Sequence, residues 1–171
     1  IFQSTPEGKF VNVNITMANL FGFESPGEMI KSIDKIAEDI YINPGDRPEN
    51  LRKIREGREI VKLETEFRRK NGEKWIADLN LRVVRDKEGN PLYFEGFVQD
   101  ITSRKRTEKA LLDSEVKYRT IFENTGAATL LIEKDTTITL ANSEFEKLSG
   151  YSKKDVEGKS WTELVFYDDL D

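Results

Sequence analysis

The residues of this chain that are able to do chemistry fall into a few small groups, and each lacks a member that its chemistry needs. Gly158-Lys159-Ser160 ends like a phosphate-binding loop, but that loop requires a glycine five positions before its Gly-Lys, where the chain has Lys153. Glu64 and Glu66 share one strand face, as a carboxylate pair for acid–base work would. They stand among Lys62 and Arg68, so the pattern reads as a solvated, salt-bridging surface. Asp168, Asp169 and Asp171 would attract a hard cation, yet no spaced set of oxygen ligands surrounds them. Arg104-Lys105-Arg106 is interleaved with Glu108, Asp113 and Glu115, which favours a solvated helix face over a nucleic-acid patch. Asn14-Ile15-Thr16 has the form of a glycosylation sequon, with nothing to suggest secretion.

Two absences narrow the chemistry further. The 171 residues contain no cysteine and no histidine. Thiolate nucleophiles, disulfides, Cys-type zinc sites and cysteinyl adducts are therefore excluded within this stretch. So are an imidazole base, a proximal haem histidine and a phosphoryl-accepting histidine. Charged residues make up 35%, and 27 Lys+Arg against 32 Asp+Glu leave a net charge of −5, which argues for a solvated surface and against nucleic acid as main partner. Apolar runs such as Leu130-Leu131-Ile132 fall far short of the ~20 residues that span a bilayer. A cytoplasmic protein with no membrane segment in this stretch is expected.

Whatever these residues do, a repeated scaffold must position them. Phe2–Phe23 superposes on Leu130–Tyr151 at a constant offset of 128, pairing Asn14 with Asn142, Leu20 with Leu148, Gly22 with Gly150 and Phe23 with Tyr151. Each copy reads as an alternating strand ending in Asn, a short helix, Gly-aromatic, and a Ser that opens another helix. In the first copy Gly22 suits a left-handed helix end. Ser25-Pro26-Gly27-Glu28 has the form of an N-cap, a first-turn proline and a capping-box glutamate, and Pro48–Arg55 reads as one more short helix.

From Val61 the apolar period becomes two. Val61, Leu63, Thr65 and Phe67 share a face; after Asn71-Gly72, for which a type I′ turn is predicted, Trp75, Ala77, Leu79, Leu81 and Val83 do the same. Asp86–Asn90 forms a second turn and Leu92 to about Gln99 a third strand. Thr102–Glu123 has no Pro or Gly and is expected to be a helix roughly 30 Å long. Along it Arg104, Thr107, Leu111, Ser114, Tyr118 and Ile121 follow heptad spacing. By comparison with the first copy, the second lacks its last helix and three hairpin strands, so both chain ends are expected to be cut from a longer polypeptide.

Asn14–Phe23 followed by Glu24-Ser25-Pro26, the hairpin Phe67–Trp75, and Gly96–Thr102 with its Asp-Ile-Thr triplet together resemble the PAS family with its C-terminal PAC portion. Asn142–Lys159 repeats the first half of that pattern. The resemblance implies an α+β fold: a five-stranded antiparallel sheet with short helices on one face, a linker helix, and a second, incomplete module. It divides the chain into 1–102, 103–123 and 124–171. It also implies a cavity between sheet and helices and an effector downstream in cis, a sensor histidine kinase or alternatively a diguanylate cyclase, neither of which lies within these residues. The cofactor is unknown, but the missing Cys and His remove adduct-forming flavin and His-ligated haem.

Strand phase, with the face that the resemblance turns inward, gives a candidate ligand pocket of Leu63, Thr65, Phe67, Ala77, Leu79, Leu81, Phe94, Gly96 and Val98. Thr65 and Asn80 are expected to be the only polar side chains near it. For each of these positions ordinary core packing competes with ligand contact; Gly96 in addition marks a close approach by backbone or ligand. A relay through Asp100, Ile101, Thr102, Leu111 and Tyr118 is expected, with Asp100 capping the helix and setting its exit direction. Three readings follow: a small-ligand sensor that pairs as a homodimer through the linker helix or module surfaces, a ligand-free interaction scaffold whose cavity is packed by Trp75, Phe94 and Phe67, and, ranked last, an enzyme.

Overall fold

Helix boundaries in this chain are set by short polar side chains and by glycines that tolerate a left-handed backbone. The computed structural model describes residues 1–55 and 60–164. After strands β1 (Phe2–Ser4) and β2 (Phe10–Val13), helix α1 (Ile15–Phe21) begins where the Asn14 side chain accepts the Met17 N–H, and it ends at Gly22 with φ +84°. Its inner face buries Met17, Ala18 and Phe21. Helix α2 (Pro26–Ser32) starts at Ser25, whose hydroxyl accepts from the Glu28 N–H, while the Glu28 carboxylate reaches back to the Glu24 N–H at 2.7 Å. The short helix α3 (Ile36–Asp39) and the longer α4 (Asp46–Arg55) complete the helical layer.

Strands β3 (Ile60–Arg68), β4 (Lys74–Arg85) and β5 (Pro91–Asp100) join β1 and β2 in one antiparallel sheet of order β2-β1-β5-β4-β3. Val61, Leu81, Gly96 and Phe2 lie in one cross-strand row, and Leu63, Leu79 and Val98 in the next. These odd and even positions face the helices, which is why period-two patterning marked them. Between the layers Phe21, Phe67, Trp75 and Tyr41 pack edge to face or tilted, with ring centroids 4.8–5.7 Å apart. Burying rings of this size is worth roughly 1.5–3 kcal/mol each.

The Asn71-Gly72 turn is not type I′. That geometry needs positive φ at two successive residues, and here only Gly72 (φ +87°) has it. The loop instead spans Arg69–Glu73: the Gly72 N–H donates to Arg69 O, the Arg69 N–H to Glu73 O, and the Asn71 carboxamide accepts the Glu73 N–H. The Asp86–Asn90 loop repeats this construction around Gly89, with Asp86 O accepting from Gly89.

Helix α5 covers Thr102–Glu123, as the composition predicts. The chain divides within it into two compact units, residues 1–107 and residues from 108 onward. The second unit pairs β6 (Leu130–Ile132) with β7 (Ile138–Ala141), then forms α6 (Ser143–Ser149), α7 (Lys153–Val156) and a single 3₁₀ turn at Trp161–Glu163. Asn142 caps α6 and Gly150 (φ +78°) ends it, matching Asn14 and Gly22. Fully buried, the Asn142 amide also donates to Phe122 O, Thr125 Oγ1 and Ala127 O, and its oxygen accepts from the Thr129 N–H. The acidic turn Tyr167-Asp168-Asp169 and the end of the Trp161–Phe166 segment lie outside the described residues.

The last residue of α5 holds the start of α6. Glu123 accepts from Lys153 Nζ at 2.6 Å, from Ser143 Oγ at 2.7 Å and from the Ser143 N–H at 3.0 Å. Those bonds, Lys153's first, hold its carboxyl at about 2.

Two predictions follow from this packing. A Cβ built on Gly96 would stand 1.9 Å from the Asn80 carbonyl oxygen, so Gly96→Ala forces β4 and β5 apart and lowers unfolding free energy by about 1–3 kcal/mol in urea denaturation. Because the Glu123 carboxyl is depressed in the folded state, its stabilisation is present above its ordinary pKa and is lost as pH falls toward about 2. Glu123→Gln should therefore reduce amide protection at Phe145 near neutral pH, and the gap from wild type should close between about pH 4.5 and about pH 2. A gap that stays constant across that range excludes the charged form as the source.

Candidate functional site

Between the helical layer and the sheet of the first unit lies a void of about 30 Å³, lined by Phe2, Ser4, Phe10, Met17, Phe21, Ile36, Ile40, Tyr41, Arg47, Leu51, Phe67, Leu79, Leu81, Phe94 and Val98. Pockets for drug-sized or cofactor-sized molecules hold several hundred Å³. This one has room for a water or two. The difference is made by ring volume: Phe21, Trp75 and Phe94 are almost wholly buried and occupy the space between the layers.

Of the nine pocket positions predicted from strand phase, Phe67, Leu79, Leu81, Phe94 and Val98 reach the void and four do not. Ala77 is fully buried but does not line the void; it shares its cross-strand row with Thr65 and Asp100. Leu63 packs against the edge of the same core. Thr65 is buried, with its hydroxyl making no hydrogen bond among the described residues. Gly96 lies in the right row, and its close approach is to the β4 backbone.

Asn80 requires a correction. It is an even-numbered position on a strand whose odd positions face inward, and it lines an open groove on the outer face with Ile60, Lys62 and Phe97. The polar groups at the void are instead Ser4, Tyr41 and Arg47. Ser4 and Arg47 are 2% and 9% exposed, and burial pushes the Tyr41 phenol up to about 12. Sequence reading missed Arg47 because helix α4, Asp-Arg-Pro-Glu-Asn-Leu-Arg-Lys-Ile-Arg, looks polar throughout. The usable signal was spacing: Arg47, Asn50 and Leu51 fall at i, i+3 and i+4, on one helix face.

At the other end of the sheet, a second polar cluster gathers around Arg69 in the β3–β4 turn. Its guanidinium donates to Asp100 at 2.5 Å and to the Leu20 carbonyl at the end of α1, and it lies over the Trp75 ring, 5.0 Å from the centroid. Asp100 Oδ1 accepts the Thr102 N–H at 2.8 Å, and Thr102 Oγ1 in turn accepts the Ile76 N–H at 2.9 Å. Ile101, between them, is buried and donates its N–H to Ile76 O. Burial alone would raise the Asp100 carboxyl, but the bonds from Thr102 and Arg69 outweigh it and hold the group below the usual aspartate range. Thus Asp100, Ile101 and Thr102 stand together at the root of α5.

The other two relay positions, Leu111 and Tyr118, lie along α5 and are 61% and 50% exposed. Ile121 continues their stripe, and Leu112 and Val116 form a second exposed pair four residues apart. Glu64 and Lys105 form an ion pair at 2.7 Å, consistent with a solvated surface for both clusters. Among the described residues no three acidic, histidine or cysteine groups converge as metal ligands. No helix among them is long and apolar enough to cross a membrane.

Comparison with known proteins agrees with this architecture. A family model described as PAS domain matches residues 1–103, and one described as PAS fold matches residues 117–171. The sensor histidine kinase TmoS of Ectopseudomonas mendocina is 33% identical over 68 residues, a match covering 38% of this chain and 7% of that protein. A solved sensory box histidine kinase/response regulator from Burkholderia thailandensis E264 superposes with TM-score 0.51 at 24% identity, over 70% of this chain and 88% of the other. A PAS domain from Colwellia psychrerythraea gives TM-score 0.50 at 16% identity, over 60% and 85%. With the sheet order, the helical layer and the first family match covering more than half of its length, the chain belongs to the PAS family.

Proposed function

We propose that this chain is the sensory and relay region of a cytoplasmic histidine-kinase-type signalling protein, in which a change at the buried pocket of the first unit is carried to α5 and on to an effector in cis. The observation that supports this best is the position of Arg69. One guanidinium bonds the end of α1, the ring of Trp75 and the carboxylate that caps α5, so a shift in the helical layer cannot leave the root of α5 unstrained. A stimulus acts only by its differential affinity for two arrangements of these elements, typically ~1–3 kcal/mol of coupling.

The exposed Leu111, Tyr118 and Ile121 stripe supports pairing of α5 with a second copy. Thr107 and Ser114 make that seam weakly apolar, which suits a pairing that must shift. The packed void favours a second reading, a ligand-free interaction module whose cavity is filled by Trp75, Phe94 and Phe67. Native mass spectrometry of the purified chain separates the two: a reproducible bound metabolite supports sensing, and none supports the scaffold.

The relay is tested through Asp100→Asn, which keeps the shape of the cap and removes the charge paired with Arg69. Because the pair is partly exposed, the stability cost should be only about 1 kcal/mol. Since the chain has no cysteine, Lys109→Cys gives one unique spin-label site on α5. Asp100→Asn should broaden or shift the inter-copy distance distribution at that site. In the longer protein it should make kinase output independent of the stimulus. Unchanged distances and an unchanged stimulus response would rule out the relay.

A further inference from the structure

Arg47 is a buried cation with almost nothing to bind. Its side chain lines the void, and the residue is 9% exposed. A guanidinium carries five N–H donors, yet the bond it makes among the described residues is one, from Nη2 to the Thr5 carbonyl at 3.3 Å. It forms no ion pair among the described residues; Glu7 is exposed and acts on it only through its longer-range charge. Burial pulls the guanidinium pKa down, the direction expected for a cation short of partners.

Two neighbours shape the surroundings of that charge. Asn50, one turn further along α4, is 5% exposed, and its Nδ2 donor, which makes no hydrogen bond of good geometry among the described residues, lies near enough to the Tyr41 phenol to act on it. Gly8 adopts φ +101°, a conformation that favours glycine, and packs its backbone against the guanidinium, where a Cβ would stand 3.3 Å from Nη1. Ser4 and the Tyr41 ring also border the void, and most of the remaining wall is apolar, with Phe2, Met17, Leu81 and Phe94 among its residues.

A planar cationic fork at one end of a small apolar cavity matches a carboxylate on a short hydrocarbon body. We infer that the pocket of the first unit takes a short-chain organic carboxylate, its two oxygens on the Arg47 guanidinium and its apolar end against Phe2, Met17, Leu81 and Phe94. Since the void of about 30 Å³ holds only a water or two, even the smallest carboxylate requires the helical layer to yield around it, and longer ones require more. This inference rests on reading the void as the sensory pocket, and it names the ligand class for it.

The test uses the full 171-residue chain, calorimetric titration and thermal shift, with acetate, propionate, butyrate and benzoate as probes. Acetamide and propionamide serve as neutral isosteres, and nitrate and phosphate at matched ionic strength as inorganic anions. Acetate or propionate should bind saturably and raise the melting temperature by roughly 3–6 °C at ten times Kd. The amides should do nothing, and affinity should fall with chain length. Arg47→Met should weaken binding at least tenfold while leaving the ligand-free melting temperature unchanged or higher, because it removes an uncompensated buried charge. A lower ligand-free melting temperature in Arg47→Met marks the arginine as a structural element and counts against the site. If Arg47→Met does not fold, Arg47→Lys, which keeps the charge and loses the fork, is judged by the tenfold binding criterion.

No saturable response to any carboxylate, an unchanged response in the variant, or an equal response to nitrate or phosphate would overturn the assignment. Binding is measured here without any signalling output. A chain that binds carboxylate but relays nothing therefore overturns the relay alone, and one that relays without binding overturns this inference alone.

Discussion

One guanidinium ties together the end of α1, the β3–β4 turn and the end of β5 in the first unit. Arg69 sits in a hairpin turn, but its bonds go to the end of α1 and to Asp100 at the end of β5, while its plane covers Trp75. Apolar contacts between a sheet and a helical layer are non-directional and tolerate sliding. A guanidinium that divides its N–H groups between a carbonyl and a carboxylate fixes both distance and angle. Lysine would supply the charge without the fork, so the geometry here depends on arginine. The neighbouring Lys70 extends the same docking, since its N–H donates to Phe21 O and its ammonium pairs with Glu28 of α2 at 2.5 Å.

That docking accounts for the turn that sequence rules misassigned. A two-residue type I′ turn would satisfy only the two strands that it joins. The observed five-residue loop presents Arg69 and Lys70 to α1 and α2, and Asn71 spends its carboxamide on the loop's own backbone. Tertiary demands on the turn's side chains thus outweigh the local preference of Asn-Gly. The Asp86–Asn90 loop has the same backbone construction, here held by Asp86 accepting the Glu88 and Asn90 N–H groups, so the form suits these strands as well.

Much of the fold was legible because its landmarks are enforced locally. Asn14 and Asn142 cap helices, Gly22 and Gly150 end them in a left-handed conformation, and period-two runs place Leu79 and Leu81 inward. The Thr102–Glu123 helix follows from composition alone. Site geometry was less legible, because strand phase gives a face and not a position along it: it put Ala77 and Thr65 on the inner wall without showing that their row lies beyond the void. Nor does phase say which helical side chains descend onto the sheet. Arg47 is one arginine among several in a polar helix; its spacing with Asn50 and Leu51 marks a helix face, and the position of α4 over the sheet makes that face the buried one, unlike that of Arg52, which pairs with Glu49 on the surface.

The two arginines of the first unit occupy opposite energetic situations, and the contrast bears on how such a module could respond to anything. Arg69 is well compensated by a carboxylate, a carbonyl and a ring, so it holds the layers in one arrangement. Arg47 is more deeply buried and makes one long bond among the described residues. A buried charge with so little compensation costs several kcal/mol, which the surrounding packing must offset. Any group that satisfied Arg47 would lower the energy of whichever position of α4 best presents it. α4 and α1 both border the same void, and the carbonyl of Leu20 near the end of α1 accepts from Arg69, so one helix lies between the two arginines. The first unit therefore sets a poorly satisfied cation and a well satisfied one on elements that share a single void.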